Sequence, residues 1–309
     1  MADIEVRMKT QVVIVQGAMG TMLGSMGFDG CLPFLNLTEP ETVEDLHRRY
    51  RDAGADCAVT NTFLATPDRL EEYGLADHMA KINEVGVRLA KRAGFPHVLG
   101  AIGPCLDEVE PGAALAVLKA RRLNATEAMT AEGPAPSYAA AVEQYAAQAT
   151  ALASAGPDAL LVESFVRLDD ALAAIDGVRR VTDLPVIATM VLTADCLVDP
   201  ADAAQALVEM GACAVGCNCM DVDATLAALA SMRPAVAVPL VARPSAGNPV
   251  ENAGGGLIWP LGPDGFAEAA VEELRTGATV LGSCCGSTPA CTGAIYAAVG
   301  GLELPGGDS

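Results

Sequence analysis

The stretch ALLV at residues 159–162 is the first of four apolar runs that recur about every 27 residues in the second half of the chain. All four are short and almost free of polar residues: ALLV (159–162), VIATMV (186–191), ACAV (212–215) and LVA (240–242). Continuous apolar runs, in contrast to alternating ones, are typical of strands buried on both faces of a parallel sheet. Helical patterns fill the gaps, so this half of the chain predicts repeated strand–helix units.

Four more apolar runs extend the pattern to the whole chain: VVIV (12–15), CAVTNTF (57–63), VLGAI (98–102) and ATVL (278–281). Eight strands alternating with helices over 309 residues predict an α/β protein with a (β/α)8 TIM barrel. An open, doubly wound sheet is the alternative. The regular spacing of the later runs, with no second Gly-rich nucleotide turn, favours the barrel. We find no linker or break in composition and therefore predict one domain over residues 1–309.

One connection is longer than the others. Residues 106–137 carry Pro and Gly near both ends and a helical pattern at 114–122. Loops of this length usually act as a lid or as a surface for a partner. A tolerated surface insertion is the alternative, and the sequence does not decide between the two.

Charge and composition exclude several classes of function. The chain has 19 Lys and Arg against 39 Asp and Glu, a net charge of -20, which argues against nucleic acid and anionic membrane surfaces as partners. It contains no run of about 18 apolar residues, so no transmembrane helix is predicted. Its first ten residues lack the apolar core of a secretory signal. Together with ten cysteines spread thinly over the chain, this predicts a cytoplasmic protein in a reducing compartment.

Most of these cysteines stand alone in the sequence. We expect five of them to behave as small buried hydrophobic residues: Cys31, Cys57, Cys105, Cys196 and Cys213.

The chemistry of a barrel of this type lies at the carboxyl ends of its strands. Cys219 follows the sixth run, and Cys284 and Cys285 follow the eighth. In a closed barrel these two strand ends face a common mouth, so three thiolates can converge on one ion. Zinc prefers sulfur ligands in a tetrahedral shell, and three protein ligands leave a fourth position open, as in catalytic sites. The residues therefore suggest a catalytic zinc site.

Three alternatives to this assignment remain open at this stage. The thiols could form a buried cluster without metal, or a redox pair, although only a CxC sequence is present. Cys217 also competes with Cys219, because it lies two residues earlier and so points to the same side of an ideal strand. The position of Cys219 nearer the strand end favours it.

Four separated motifs identify a family resemblance: GAMGT (17–21), TNTF (60–63), GCNC (216–219) and GSCCGSTP (282–289). In this order they resemble the homocysteine S-methyltransferase family, and the resemblance covers nearly the whole chain. That family includes the homocysteine-binding module of cobalamin-dependent methionine synthase and betaine–homocysteine methyltransferase. The resemblance implies a (β/α)8 barrel, zinc held by Cys219, Cys284 and Cys285, and homocysteine as the fourth ligand during turnover.

The resemblance also suggests how the amino-acid part of the substrate binds. Glu163, after the fourth run, is placed to bind the ammonium group; a salt bridge to a neighbouring Arg is the alternative. Backbone N–H groups near the GAMGT motif suit the carboxylate, and Asn61 and Thr62 are candidates for hydrogen bonds to substrate or for a structural turn. The motif comprises Gly17, Ala18, Met19, Gly20 and Thr21.

Two of the positions that depart from the family pattern bear on the substrate. Gln16 stands where Asp usually precedes the GAMG sequence, and Ser245 stands where Asn is usual. In relatives that Asn can fill the fourth zinc position at rest. The departures leave room for a thiol other than homocysteine.

The methyl donor is not encoded in a recognisable segment. The TNTF motif resembles the methionine synthase module more than the betaine branch, which favours a separate methyl-corrinoid (cobalamin) protein as donor for the conversion of homocysteine to methionine. S-methylmethionine or another sulfonium is the second possibility. A non-catalytic barrel that binds zinc or a thiol to regulate a partner is the third.

Overall fold

Eight parallel strands form the centre of the molecule. The computed structural model describes residues 3–106, 108–121, 135–193, 198–251, 257–302 and 304. The parallel strands are β1 (Val13–Ile14), β2 (Cys57–Val59), β3 (His97–Ile102), β4 (Ala159–Phe165), β5 (Val186–Met190), β6 (Ala214–Asn218), β7 (Leu240–Arg243) and β10 (Ala278–Leu281). Each lies within or overlaps one of the eight predicted apolar runs.

The strands follow one another around the sheet in chain order, with β1 paired to β10. A parallel bridge between Val15 and Cys57 joins the first strand to the second. The Gln16 N–H also donates to the Cys57 carbonyl (2.9 Å), and the Asp56 N–H donates to the Ile14 carbonyl (2.7 Å). These contacts close the sheet, so the predicted (β/α)8 barrel is confirmed and the open sheet is wrong.

Helices surround the strands. They are α1 (Ile4–Thr10), α2 (Gly20–Ser25), α3 (Leu35–Thr38), α4 (Pro40–Asp52), α5 (Pro67–Glu71), α6 (Met79–Arg92), α7 (Ala113–Arg121), α8 (Pro136–Ser154), α9 (Leu168–Val181), α10 (Pro200–Glu209), α11 (Val222–Met232), α12 (Pro263–Arg275) and α13 (Pro289–Val299). Short 3-10 turns lie at Leu32–Phe34 and Ala76–His78. None of the helices in the described ranges has both the length and the apolar character needed to cross a membrane.

The core has two layers. Side chains that alternate along the strands fill the barrel interior, and Ile4 and Met8 of α1 belong to this inner cluster. The Thr279 hydroxyl, near the start of β10, donates to the Met8 carbonyl of α1 (2.9 Å). Helix α1 therefore covers the amino-terminal end of the barrel. The second, larger layer packs between the strands and the outer helices. The carboxyl ends of the strands are thereby left to build a site.

The long connection is held against α9. The N–H groups of Gly112 and Ala114 donate to the Asp169 carboxylate (3.1 and 2.9 Å), and the Val109 N–H donates to Asp170 (2.9 Å). The helical pattern predicted at 114–122 corresponds to α7. Residues 107 and 122–134 of the predicted 106–137 loop lie outside the described residues, so its role as lid, partner surface or insertion stays a prediction.

A small hairpin was not predicted from the sequence. Strands β8 (Val250–Glu251) and β9 (Leu257–Ile258) form a two-stranded antiparallel sheet between β7 and α12. Each contributes only two residues and all are exposed, so neither gives the apolar run by which the barrel strands are recognised.

The lone cysteines follow the prediction in part. Cys57 and Cys105 are buried, whereas Cys31 and Cys213 are partly exposed. Cys31 departs from the prediction because it lines a pocket at the mouth of the barrel. Cys196 lies outside the described residues.

Glu273 of α12 gives a test of the packing around the barrel. Its side chain is 1% exposed, its Oε1 has no partner within the described ranges, and burial raises its pKa from 4.5 to about 8. The folded protein therefore keeps a proton that the unfolded chain loses, so this group destabilises the fold as the pH rises from about 4.5 towards 8.

We predict that Glu273→Gln increases the free energy of unfolding relative to the wild type at about pH 9 and changes it much less at about pH 4. The reason is that the carboxyl group of Glu273 titrates between these pH values, whereas the amide of a glutamine does not. Urea unfolding at both pH values measures this. Glu268→Gln, on the exposed side of the same helix, is the control and should show no such pH dependence. An equal effect of Glu273→Gln at both pH values would contradict a buried, protonated carboxyl.

Candidate metal and thiol site

A pocket of about 420 Å³ opens at the carboxyl ends of the strands. Among its lining residues are nearly all those predicted from sequence: Gly17, Ala18, Met19, Gly20, Thr21, Asn61, Glu163, Cys284 and Cys285. Cys219 is not among the lining residues, but its Sγ lies 3.3 Å from that of Cys285, which is. Thr62 does not contribute to the lining. The structure thus brings residues from five strand ends, distant in sequence, to one cavity.

The three predicted cysteines form one cluster. Their Sγ atoms all lie within 4.8 Å of one another; Cys219 Sγ is 3.3 Å from Cys285 Sγ, and Cys284 Sγ is 4.0 Å from Cys285 Sγ. A disulfide requires about 2.05 Å, and all three are free. Tetrahedral ligands at 2.3 Å from zinc would be separated by about 3.8 Å. The donor set therefore fits one thiophilic ion with small side-chain adjustments.

The backbone at the carboxyl end of β7 holds both arms of the cluster. The Cys219 N–H donates to the Arg243 carbonyl (3.1 Å), and the Cys284 N–H donates to the Pro244 carbonyl (2.8 Å). The Ala246 N–H in turn donates to the Cys285 carbonyl (2.8 Å). One short segment between β6 and β10 thus sets the separation of the three sulfurs.

Cys217 does not take part in the cluster. It is fully buried in the outer layer, with its Sγ 3.9 Å from the Thr225 carbonyl oxygen of α11. Cys219 has a left-handed backbone conformation, with φ of 60°, which breaks the strand alternation. The expectation that Cys217 and Cys219 point to the same side is therefore wrong, because it assumed an ideal strand as far as Cys219.

Asn218 and Ser164 support the cluster and were not predicted as site residues. Asn218 Nδ2 donates to Ser164 Oγ (2.6 Å) and lies 3.6 Å from Cys284 Sγ, while Asn218 Oδ1 accepts from the Ser164 N–H (3.0 Å). Ser164 has a φ of 64°. The position of Asn218 between two cysteines was the feature of the sequence that could have indicated its place beside the cluster. Asn218 orients a sulfur that it contacts directly.

The electrostatics of the cluster call for a cation. Hydrogen bonds from Cys284 and Cys285 lower the pKa of Cys219, while the same contact with Cys219 raises the pKa values of Cys284 and Cys285. The Cys219 thiolate is thus stabilised by two neighbouring thiols, and ionisation of those thiols, Cys284 and Cys285, is opposed. A divalent ion removes this opposition, because it neutralises adjacent thiolates.

Glu163 forms an ion pair with Arg243, which is the salt bridge considered above as its alternative role. Arg243 itself was not predicted to belong to the site. Arg243 Nη1 donates to Glu163 Oε2 (2.5 Å), and the two side chains are 3% and 8% exposed. Burial raises the pKa of Glu163, and the Arg243 charge opposes that increase. Both residues line the pocket. The signal for Arg243 was its position directly after the seventh apolar run.

The GAMGT segment is fixed by packing. The Ala18 N–H donates to Ser287 Oγ (3.1 Å), and the Tyr50 hydroxyl donates to the Ala18 carbonyl (2.8 Å). A Cβ on Gly17 would lie 2.5 Å from Ser287 Oγ, so only glycine fits. Helix α2 begins at Gly20, and N–H groups in a first turn have no partner within their helix.

Asn61 and Thr62 both make structural hydrogen bonds. Asn61 Nδ2 donates to the Leu32 carbonyl (2.8 Å) and to Asn36 Oδ1 (3.1 Å). The Thr62 hydroxyl donates to the Ala101 carbonyl (2.8 Å). Asn61 remains on the pocket wall and can contact a ligand, whereas Thr62 is fully buried.

The two residues that depart from the family pattern are engaged elsewhere. Gln16 Nε2 donates to the Val59 carbonyl (3.2 Å), and Gln16 Oε1 lies 2.9 Å from His47 Nδ1. The Ser245 hydroxyl donates to the Met220 carbonyl (3.1 Å). Neither residue is among the described side chains that line the pocket.

Comparison with known sequences gives one consistent result. The sequence model of the homocysteine S-methyltransferase family matches residues 13–299. The methionine synthases of Mycobacterium tuberculosis and Mycobacterium leprae are each 31% identical over 96% of this chain. The chain spans 25% of the length of each.

Solved structures support the fold. The metallated homocysteine methyltransferase MmuM from Escherichia coli superimposes with a TM-score of 0.71 at 24% identity, covering 94% of this chain and 96% of that one. A methyltransferase from Methanosarcina mazei gives a TM-score of 0.54 at 14% identity, covering 93% of each chain.

We predict that Cys219→Ala, Cys284→Ala and Cys285→Ala each lower the metal bound per chain after loading with zinc, because each removes one of three sulfur donors. Elemental analysis of the purified variants measures this. The matched control is Cys217→Ser, which changes a cysteine two residues from Cys219 and outside the cluster, and should retain wild-type metal. Full metal content in all three alanine variants would contradict the ligand set. Loss of bound metal in Cys217→Ser would indicate that Cys217 is a ligand in place of Cys219.

Proposed function

The chain belongs to the homocysteine S-methyltransferase family, and on that basis we propose that it is a zinc-dependent methyltransferase that forms methionine from homocysteine. The observation that carries the proposal is the cluster of three free sulfurs within 4.8 Å of one another, at a pocket that also holds a buried carboxylate and guanidinium. A thiol substrate with a charged head group matches both parts.

Zinc is the ion that this donor set favours. Thiolates are soft ligands that select zinc over magnesium or calcium, and three of them leave one position for an incoming sulfur. Cys219, Cys284 and Cys285 would hold the ion. When bound, zinc keeps a substrate thiol deprotonated at neutral pH, which makes its sulfur nucleophilic.

The residues of the chain position the substrate for methyl transfer. Glu163 would bind the ammonium group of homocysteine, and the N–H groups of Gly20 and Thr21, which also line the pocket, would contribute to binding its carboxylate. The substrate sulfur attacks the methyl carbon, and the bond from that carbon to the donor breaks with its electrons leaving on the donor. The pocket walls orient the two reactants and so lower the entropic part of the barrier.

We propose a methyl-corrinoid protein as the donor. The chain matches a quarter of the length of two methionine synthases, so a donor module carried elsewhere is consistent with that relationship. A sulfonium such as S-methylmethionine is the second candidate donor, because its methyl group also leaves a neutral sulfur when a thiolate attacks it. A cytoplasmic location is part of the proposal, because three close thiols remain reduced only in a reducing compartment.

We predict that zinc-loaded protein forms methionine from homocysteine when methylcobalamin is supplied as a soluble stand-in for the corrinoid protein, because the sulfur cluster activates the thiol whatever carries the methyl group. Mass spectrometry of the product measures this, with S-methylmethionine tested in parallel.

The two donors separate the alternatives. Methionine from methylcobalamin alone supports the corrinoid donor, and methionine from S-methylmethionine alone replaces it with a sulfonium. Cys284→Ala loaded in the same way is the control and should give no product. The absence of methionine with both donors would contradict the proposed activity and favour a zinc- or thiol-binding regulatory barrel.

A further inference from the structure

The buried pair of Glu163 and Arg243 has unused hydrogen-bonding capacity on the wall of the pocket. We infer that the pair is a clamp for an α-amino-acid head group, in which Arg243 binds the carboxylate of the thiol substrate while Glu163 binds its ammonium. The inference rests on the proposed function and adds Arg243 as the residue that selects thiols with a carboxylate.

The geometry of the pair leaves both partners able to bind a further group. Arg243 uses Nη1 for Glu163, and its Nε, although buried, has no partner within the part of the chain that the structure describes. The ion pair occupies Oε2 of Glu163, so Oε1 remains as an acceptor. A guanidinium presents several donors in one plane, which suits a carboxylate better than a single N–H does.

Charge balance favours a zwitterion in this position. Glu163 and Arg243 neutralise each other, and both are removed from water. Adding only an ammonium or only a carboxylate would leave one uncompensated charge in a buried site, which is costly. An amino-acid head group brings one charge of each sign on neighbouring atoms, so it can lie antiparallel to the pair without adding net charge.

Other charged residues of the pocket are already engaged or lie further out. Arg69 Nε donates to the Pro104 carbonyl (3.1 Å), and Arg69 Nη1 lies 3.9 Å from Oε2 of Glu72, the residue that follows α5. Both are more exposed than the Glu163–Arg243 pair. In the GAMGT segment the Ala18 N–H is bonded to Ser287. Arg243 is therefore the buried cation best placed to take the carboxylate.

Arg243 is also tied to the sulfur cluster. Its carbonyl accepts the Cys219 N–H at 3.1 Å, and its aliphatic chain lies against Gly282, where an added Cβ would be 3.4 Å from Arg243 Cγ. The residue that binds the carboxylate thus shares its backbone with the segment that holds the metal ligands. This arrangement fixes the separation between head group and sulfur, and so the length of the thiol that fits.

The test compares three thiols that differ only in the head group: homocysteine, 3-mercaptopropylamine, which lacks the carboxylate, and 4-mercaptobutyrate, which lacks the ammonium. Calorimetric binding to zinc-loaded protein is the readout, so no methyl donor is involved. For Arg243→Gln we expect the Kd of homocysteine to rise about 10- to 100-fold, the range for a hydrogen bond to a charged group. The Kd of 3-mercaptopropylamine should stay the same or fall.

An equal rise in the Kd values of homocysteine and 3-mercaptopropylamine in Arg243→Gln would overturn the clamp, because it would indicate general damage to the pocket. So would wild-type protein that binds 3-mercaptopropylamine as tightly as homocysteine. A failure of the proposed methyl transfer is distinguishable, since homocysteine would then bind with the predicted head-group dependence but yield no methionine.

Two further variants guard against misfolding. Glu163→Gln combined with Arg243→Gln removes both buried charges together and avoids leaving one unpaired; it should keep bound zinc and lose the preference for homocysteine over both analogues. Arg7→Gln breaks the partly buried Arg7–Asp56 ion pair, which joins α1 to the loop before β2, and should leave all three Kd values unchanged. A double variant that still prefers homocysteine would overturn the clamp.

Discussion

The backbone at the carboxyl end of β7 is the constraint on which the site depends. Its carbonyl groups accept one hydrogen bond from Cys219 and one from Cys284, so ligands from two strands are positioned by the strand between them. The cluster is therefore a property of strand order and register, because β7 lies between β6 and β10 in the sheet. Barrel closure then brings the segment after β1 to the same mouth and completes the pocket wall. A local sequence motif without this neighbour would not hold three sulfurs at a fixed spacing.

The charges of the site are arranged around that backbone. Three sulfurs whose second and third ionisations are opposed lie beside Glu163, whose pKa is raised by burial, so further negative charge at the mouth of the barrel requires a cation to balance it. Arg243 is the buried counter-charge on the protein side, and it interacts with Glu163, Cys284 and Cys219. A metal ion would supply the remaining positive charge. Under the proposed function, recognition of the substrate head group and activation of its sulfur would be coupled through one electrostatic environment.

The sequence predicts the barrel and the three ligands for a physical reason. Strands buried on both faces are apolar throughout, so each of the eight leaves a visible run, and the three clustered cysteines lie within four residues of the ends of two of these runs. Three features depended on contacts that no local pattern encodes. Cys219 turns away from the side that Cys217 faces because its own backbone departs from strand geometry. The β8–β9 hairpin is too short and exposed to give an apolar run. Arg243 meets Glu163, 80 residues away in the sequence, only when the barrel has formed.

Gln16 shows how a departure from the family pattern can be accommodated without disturbing the site. Its amide donates to the Val59 carbonyl, so its oxygen accepts from Nδ1 of His47, and burial lowers the pKa of His47 to about 3, which keeps the imidazole neutral. A neutral amide has both the donor and the acceptor that these partners require, whereas an ionised Asp would have no donor for the Val59 carbonyl. The amide therefore belongs to a neutral, buried network behind the pocket wall. With the Gln16 amide turned away from the pocket, the buried carboxylate of the pocket wall is that of Glu163, and its charge is balanced by Arg243.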